Sequence, residues 1–357
     1  MSVPAPTRHD FTFASDNAAG IAPEALAALN AANAGTVASY GDDPWTERAK
    51  ASIAALFEHP CEVFFVFNGT AANSVALSHC CRRYQSIVCH ASGHVETDEC
   101  AAPEFFTGGC KVIAVDSPDA KLRPELVAPV FQRGHGIHYP KPGALSLTQA
   151  TELGTVYRPA EIRALADLAH GRDMVVHLDG ARFANAAATL AGEGFSPADW
   201  TWRAGVDVVS LGGTKSGMNT TEAVVFFDAK LATDFIYRIK QSGQLAAKQR
   251  FASAQWCGML ESGAWLRHAA HANALARQLA HALGQLPGLR LLAPVEANGI
   301  FVDLPIGVPE AMLQRGWHFY RFIGENGYRL MCSWATTEAD VQRFLSDLRI
   351  VLKVTKC

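Results

Sequence analysis

Between about residues 63 and 228, short apolar, β-branched runs alternate with stretches whose apolar residues recur at helical spacing. The runs are VFFVF (63–67), SIVCH (86–90), KVIAV (111–115), ALSLT (144–148), MVVHL (174–178), VDVVSL (206–211) and AVVFF (223–227). Helices are predicted at 71–83, 159–170 and 181–192 among them. Strands that alternate with helices in this way build βαβ units, so the pattern predicts an α/β fold around a mostly parallel, seven-stranded sheet covered on both faces. Upstream, 22–34 and 44–58 read as helices, the second with Pro44 in its first turn. Downstream, 229–286 is helical. Then RLLAP, GIFVDLP and YRLMCSW alternate with predicted helices at 308–324 and 337–353, a small α+β C-terminal domain. The expected division is an arm at 1–20, a large domain at 21–260 and a small domain at 261–357.

Composition narrows the function classes. With 49% hydrophobic residues among 357, the chain can build a large core and a smaller one. A net charge of −3, without long like-charged runs, argues against nucleic acid or an anionic membrane as a partner. No apolar run approaches the ~20 residues needed to span a bilayer. The start has no basic stretch followed by an apolar one, so export is not expected. Nine cysteines, an odd number without C-x-x-C, read as reduced thiols in a cytoplasmic protein and not as a disulfide framework or a metal site.

Two strand ends carry the chemistry. Asp179 follows the apolar run MVVHL in MVVHLDGAR and Lys215 follows VDVVSLGGT, so both fall at the carboxyl edge of the sheet, where ligands of such folds bind. Singly, Lys215 is an ordinary loop lysine and Asp179 an ordinary helix cap. Together they are what pyridoxal 5′-phosphate (PLP) requires: an amine to hold its aldehyde carbon and a carboxylate to keep its ring nitrogen protonated. In 63–77 a strand runs through a tight turn into a helix, and Gly69, Thr70 and Ala71 at that helix start offer N–H groups and a hydroxyl to a phosphate. The other reading of N-G-T is a plain β–α turn. Thr214 is a further phosphate candidate. His90, His94 and Glu99 follow the strand 86–90, and an imidazole there can lie against the cofactor ring. Arg182 and Arg329 suit an amino-acid carboxylate, or else form surface ion pairs.

These residues together resemble the L-threonine aldolase family, fold-type I PLP enzymes of the β-eliminating lyase group, and most of all its bacterial low-specificity branch. The resemblance runs through SDN (15–17), YGDDPW (40–45), FNGTAAN (67–73), His94 with Glu99, HLDGARFANA (177–186), TKSG (214–217) and YRLMCSW (328–334). It implies that Lys215 holds PLP, Asp179 faces its ring nitrogen and His94 stacks on the ring. Gly69, Thr70 and Thr214 would hold the phosphate, and Ser15, Arg182 and Arg329 the substrate carboxylate. His138 would stand beside the substrate hydroxyl. Where many relatives have E-N-T-H, this chain has Thr148-Gln149-Ala150-Thr151, with Gln149 the substitute contact to the ring oxygen. The basic loop that relatives send into a neighbour's site corresponds to 238–251, with Lys240 and Lys248 as its candidate cations.

The activity implied is PLP-dependent retro-aldol cleavage of L-threonine or L-allo-threonine to glycine and acetaldehyde. The base for the β-hydroxyl proton is left open between His138, His94 and an ordered water. Two rival functions remain: a sister lyase acting on β-phenylserine, β-hydroxyaspartate or an aromatic amino acid, and a PLP-binding sensor without turnover. The resemblance also implies a homotetramer, a dimer of dimers with the site at the dimer interface. The arm 1–20 and the loop 238–251 are expected to find little to bury against in their own subunit.

Overall fold

The computed structural model describes residues 9–134 and 136–354. Seven strands form the main sheet: β1 Glu62–Val66, β2 Gln85–His90, β3 Lys111–Val115, β4 Lys141–Thr148, β5 Val175–Gly180, β6 Val208–Gly212 and β7 Glu222–Phe226. Their order is β1-β7-β6-β5-β4-β2-β3. The five strands β2 to β6 run parallel, whereas β7 is antiparallel to both β6 and β1. The connection explains the exception. Only residues 213–221 join β6 to β7, too few for the dozen or more that a parallel crossover needs. Every residue of β6 and β7 is buried, as the uninterrupted apolar runs require.

A second sheet, order β10-β11-β9-β8, is antiparallel throughout and comprises β8 Arg290–Leu291, β9 Gly299–Asp303, β10 Tyr320–Ile323 and β11 Gly327–Met331. The helix expected over 308–324 splits here. It runs from Val308 to Gln314, and Gly316, at φ +93°, adopts the left-handed conformation that stops helices. After the aromatic His318 and Phe319, YRFI then pairs as β10, because ring and β-branched side chains suit a partly buried pleat. The long helix Ala264–Gly284 serves both cores. Ala264, Trp265 and Ala269 pack into the main one, and Leu275, Leu279 and Leu283 into the second.

The N-terminal arm departs from expectation. Residues 1–8 lie outside the described residues, but 9–20 are well packed in their own chain. Phe13 is fully buried, 5.0 Å from the Phe344 ring and 5.8 Å from Trp317. Its carbonyl accepts the Met331 amide, and Asp10 exchanges backbone hydrogen bonds with Gly316 and His318. Alternating Phe11 and Phe13 in an otherwise polar segment are what a short added edge needs. No helix among the described residues is long and apolar enough to cross a membrane, and the eight described cysteines are free.

Candidate active site

The carboxyl ends of β1, β5 and β6 meet around a cavity of about 300 Å³. Asp179, Lys215, His94, Gly69, Thr70 and Thr214 all line it, so six of the sequence candidates converge on one volume, at the lower end of the usual ~300–1,000 Å³ for small-molecule sites.

Lys215 reaches the cavity because β6 ends in two glycines. A Cβ on Gly212 would fall 2.5 Å from the Ala181 carbonyl oxygen, and one on Gly213 2.3 Å from that of Thr221. Only glycine lets the chain turn between β5 and β7 and deliver Thr214–Ser216 as a single 3-10 turn. Beside it, the Thr214 hydroxyl is buried without a well-formed hydrogen bond. Opposite, the helix Gly69–Cys80 begins at the cavity wall, capped by Asn68, whose Oδ1 accepts the Ala71 amide at 2.8 Å. Its open N-terminal amides are donors that a phosphate calls for, and the Thr214 hydroxyl stands beside them, within the influence of the Glu222 carboxyl.

Asp179 is buried and held in place. Oδ1 accepts the Ala181 amide at 3.0 Å, and Oδ2 accepts Asn73 Nδ2 at 2.9 Å. The same Asn73 nitrogen donates to Glu99 Oε1 at 2.8 Å, and that oxygen is 2.9 Å from His94 Nδ1. A buried hydrogen-bonded path therefore joins Asp179 to His94. The hydrogen bond to Glu99 raises the His94 pKa, against the opposing effects of burial and the Lys215 charge. Burial likewise pushes the Glu99 carboxyl up, while His94 and Asn73 pull it down. Beneath Asp179, His177 bonds Ser146 and Ser210 on the two flanking strands, each at 2.9 Å, and burial depresses its pKa to about 4, so this layer stays neutral. These donors fit PLP: an amine, a carboxylate, an imidazole and a phosphate-sized nest surround one space.

Next to the cavity the two arginines differ. Arg182 Nε and Nη2 donate to Asp16 at 2.8 and 3.2 Å, and Asn298 Nδ2 also reaches Asp16. Burial alone would raise Asp16. The Arg182 and Lys215 charges, with hydrogen bonds from Arg182 and Asn298, instead hold it down at about 2. Arg329 lies over the Phe322 ring at 4.9 Å, and its buried Nε has no partner. Burial, and then Arg182 nearby, lower its pKa. Ser15 caps the short turn Asp16–Ala18, accepting the Asn17 amide, and Asn17 lines the cavity.

Other candidates lie elsewhere. Gln149 is fully buried, and both ends of its amide are spent on the Tyr157 backbone, at 2.9 Å each, so it does not reach the cavity. His138 is exposed three residues before β4, at the amino edge of the sheet. Eight strand residues at about 3.3 Å each separate that edge from Thr148, beside Asp179, so His138 cannot serve the cavity of its own chain. Lys240 and Lys248 are exposed and away from it, Lys240 against the Tyr40 ring at 4.8 Å. The loop between them touches the cavity rim through Gln244, whose Oε1 accepts the Phe67 amide at 2.9 Å. Asn73, Asp16, Asn298 and Glu222 were not anticipated. Asn73 and Asp16 stand in motifs quoted above, FNGTAAN and SDN, where only their neighbours had roles. Nothing local marks Asn298 or Glu222.

Known proteins resemble this chain along most of its length. A low specificity L-threonine aldolase of Pseudomonas sp. is 53% identical over 340 residues, covering 95% of this chain and 97% of that protein. Another of the same description from Pseudomonas aeruginosa is 51% identical over 97% of this chain and 99% of its own length. A solved threonine aldolase of Leishmania major superposes with a TM-score of 0.88 at 28% identity, covering 95% of this chain and 99% of that one. Residues 12–306 match the family model described as beta-eliminating lyase. The chain is a member of the beta-eliminating lyase family.

Proposed function

We propose that the protein is a PLP-dependent aldehyde-lyase, a low-specificity L-threonine aldolase that cleaves L-threonine or L-allo-threonine to glycine and acetaldehyde. The observation that carries this reading is the convergence of Lys215, Asp179 and the His94–Glu99 pair on one cavity that also receives a helix N-terminus. The full-length likeness to low specificity L-threonine aldolases supports it.

Bound PLP supplies an electron sink for the pair released when the Cα–Cβ bond breaks. Lys215 Nζ is the amine that would hold its aldehyde carbon. The Asp179 carboxylate, fixed by Asn73 and Ala181, would hold a proton at the ring nitrogen. Gly69, Thr70 and Thr214 would hold the phosphate, and His94 would lie against the ring.

Arg329, with its unpartnered buried Nε, binds the substrate carboxylate. Arg182 assists through Nη1, which its contacts with Asp16 leave over, and Ser15 closes that end of the site. Held at its carboxylate by these residues, the substrate would have its orientation in the cavity fixed. His94 accepts the β-hydroxyl proton: Nδ1 is engaged by Glu99, and the pair can share the incoming charge. With His138 on the other edge of its own chain, His94 is the nearer imidazole.

The site lies at the interface of a C₂ dimer, two of which form a tetramer, with Lys240 or Lys248 directed toward the neighbouring phosphate. The exposure of both lysines and the contact of their loop with the cavity rim support this. The test is an amino-acid panel scored for free glycine together with acetaldehyde, benzaldehyde and pyruvate. Acetaldehyde and glycine in equal amounts from threonine are expected. Release of benzaldehyde or pyruvate alone would assign a sister lyase, and no release from any substrate would remove the enzyme reading.

A further inference from the structure

Glu222 has no part in the roles above, yet it occupies the junction of the anion-binding end. It opens β7, opposite Val66 of β1 on one side and Gly212 of β6 on the other. It therefore stands between the two turns that build the cup: Asn68-Gly69-Thr70 after β1 and Gly213-Thr214-Lys215 after β6. The residue is 7% exposed and lines the same cavity as Gly69, Thr70 and Thr214. Its Oε2 accepts the Gly213 amide at 2.5 Å, which ties the start of the lysine turn to β7.

A carboxyl group in this position raises a charge conflict. A phosphate monoester carries a charge of about −1.5 to −2 near pH 7. An ionised carboxylate on the wall of its cup would repel it in a region sheltered from water. Lys215, from the turn after β6, is the charge that acts on Glu222; Asp179 from β5 and His94 line the same cavity, and its lining residues from the β1 end and the start of the Gly69 helix carry no charge. Burial pushes the Glu222 carboxyl up, against the pull of Thr214, the Gly213 amide and Lys215.

We propose that Glu222 works as a neutral carboxylic acid, a positioning residue that anchors the Gly213–Lys215 turn while letting the phosphate monoester of the cofactor sit at the helix N-terminus without a facing negative charge. This rests on the reading of the cavity as a PLP site. The linkage has a definite sign. Ligand binding favours the protonated acid, so affinity is full below the Glu222 pKa and falls as pH rises through it, by up to about tenfold per pH unit. Glutamine keeps the shape and an acceptor for Gly213 but has no proton to lose.

The experiment titrates the apo protein with pyridoxine 5′-phosphate, which cannot condense with Lys215, following tryptophan fluorescence between about pH 6 and 9. Wild type, Glu222→Gln and Glu222→Ala are compared, with unphosphorylated pyridoxine as control. Glu222→Gln is expected to bind within about threefold of the wild type's best affinity and to lose one proton's worth of alkaline weakening. His94, Asp179 and Lys215 remain in both proteins, so the difference isolates Glu222. Glu222→Ala loses affinity at every pH, and pyridoxine does not distinguish wild type from Glu222→Gln. An unchanged pH slope in Glu222→Gln, or equal weakening of pyridoxine and its phosphate, overturns the inference. If the wild type cleaves threonine with PLP while either result holds, only the inference falls. If the wild type binds neither PLP nor pyridoxine phosphate, the PLP reading falls with it.

Discussion

The two edges of the main sheet contrast in what they collect. At the carboxyl edge, the turns after β1 and β6 bring Gly69, Thr70, Thr214 and Lys215 to one cavity, which the end of β5 joins with Asp179 and the start of β7 with Glu222. At the amino edge, the turn before β4 carries His138 beside Tyr84, Ile137 and Tyr139, with Ile137 97% exposed. Both edges hold residues that the sequence marks as chemical. The difference is direction: parallel strands send every carboxyl end one way, so a residue just after a strand joins the site and one just before it is carried off. Reach along the chain is therefore a weaker guide than which end of a strand a residue follows.

The largest effects should come from removing the carboxyl-edge pair. Lys215→Ala is expected to retain phosphate-dependent PLP binding and to lose threonine cleavage altogether. Borohydride reduction of the wild type should fix the cofactor on Lys215, and peptide mapping that finds the adduct on Lys240 or Lys248 would break the assignment. Asp179→Asn should lower kcat by on the order of 10²–10³-fold, the scale of losing one preorganised electrostatic partner, with the fold intact by circular dichroism.

Asp16 tests how far the edge extends into the N-terminal segment. It is buried against Arg182, and removing one partner of such a pair costs about 3–5 kcal/mol. Asp16→Ala should therefore lower the thermal midpoint and raise KM for threonine. The carboxyl is depressed to about 2 from an ordinary 3.8, so its stabilisation is full above the ordinary value and is lost as pH falls through about 2. The stability gap between wild type and variant should shrink across that window. A gap constant with pH would mean that the ion pair is not what stabilises this segment.

Much of this contrast was legible in the sequence because it depends on local signals. The seven apolar runs predict the seven strands, and the glycines at the ends of the two key strands mark where Asp179 closes its apolar run and where the turn that carries Lys215 begins. What was not legible depends on partners far along the chain. Gln149 reads as a cofactor contact until Tyr157, eight residues on, takes both ends of its amide. The arm reads as unpartnered because Trp317 and Phe344, which cover Phe13, lie over 300 residues away. Glu222 carries no motif. Its position follows only from β7 lying antiparallel between β1 and β6.

A smaller and more specific effect is expected at Glu99. Its hydrogen bond is the main cause holding the His94 pKa above the ordinary imidazole value. A base must be unprotonated to act, so kcat/KM should rise with pH through that raised value. Glu99→Gln removes the charge and keeps the shape, so the acid limb should move to lower pH while the PLP affinity changes little. An acid limb unmoved by Glu99→Gln would transfer the proton-accepting role away from His94.

The smallest effect on the cofactor should come from the other edge. His138 lies the length of β4 away from its own chain's cavity, about 23 Å at 3.3 Å per residue, so it cannot touch PLP bound there. His138→Ala should leave PLP affinity and the absorption spectrum of the bound cofactor unchanged. Turnover then discriminates between two architectures. Unchanged kcat and KM mean that each site is built from carboxyl-edge residues alone. A fall in turnover with the spectrum intact means that the amino-edge turn of one subunit enters the site of another, and the comparison of edges becomes a comparison across an interface. Mixing His138→Ala with Lys215→Ala subunits separates the cases: a hybrid in which the Lys215-bearing site faces an intact His138 should regain activity only in the second.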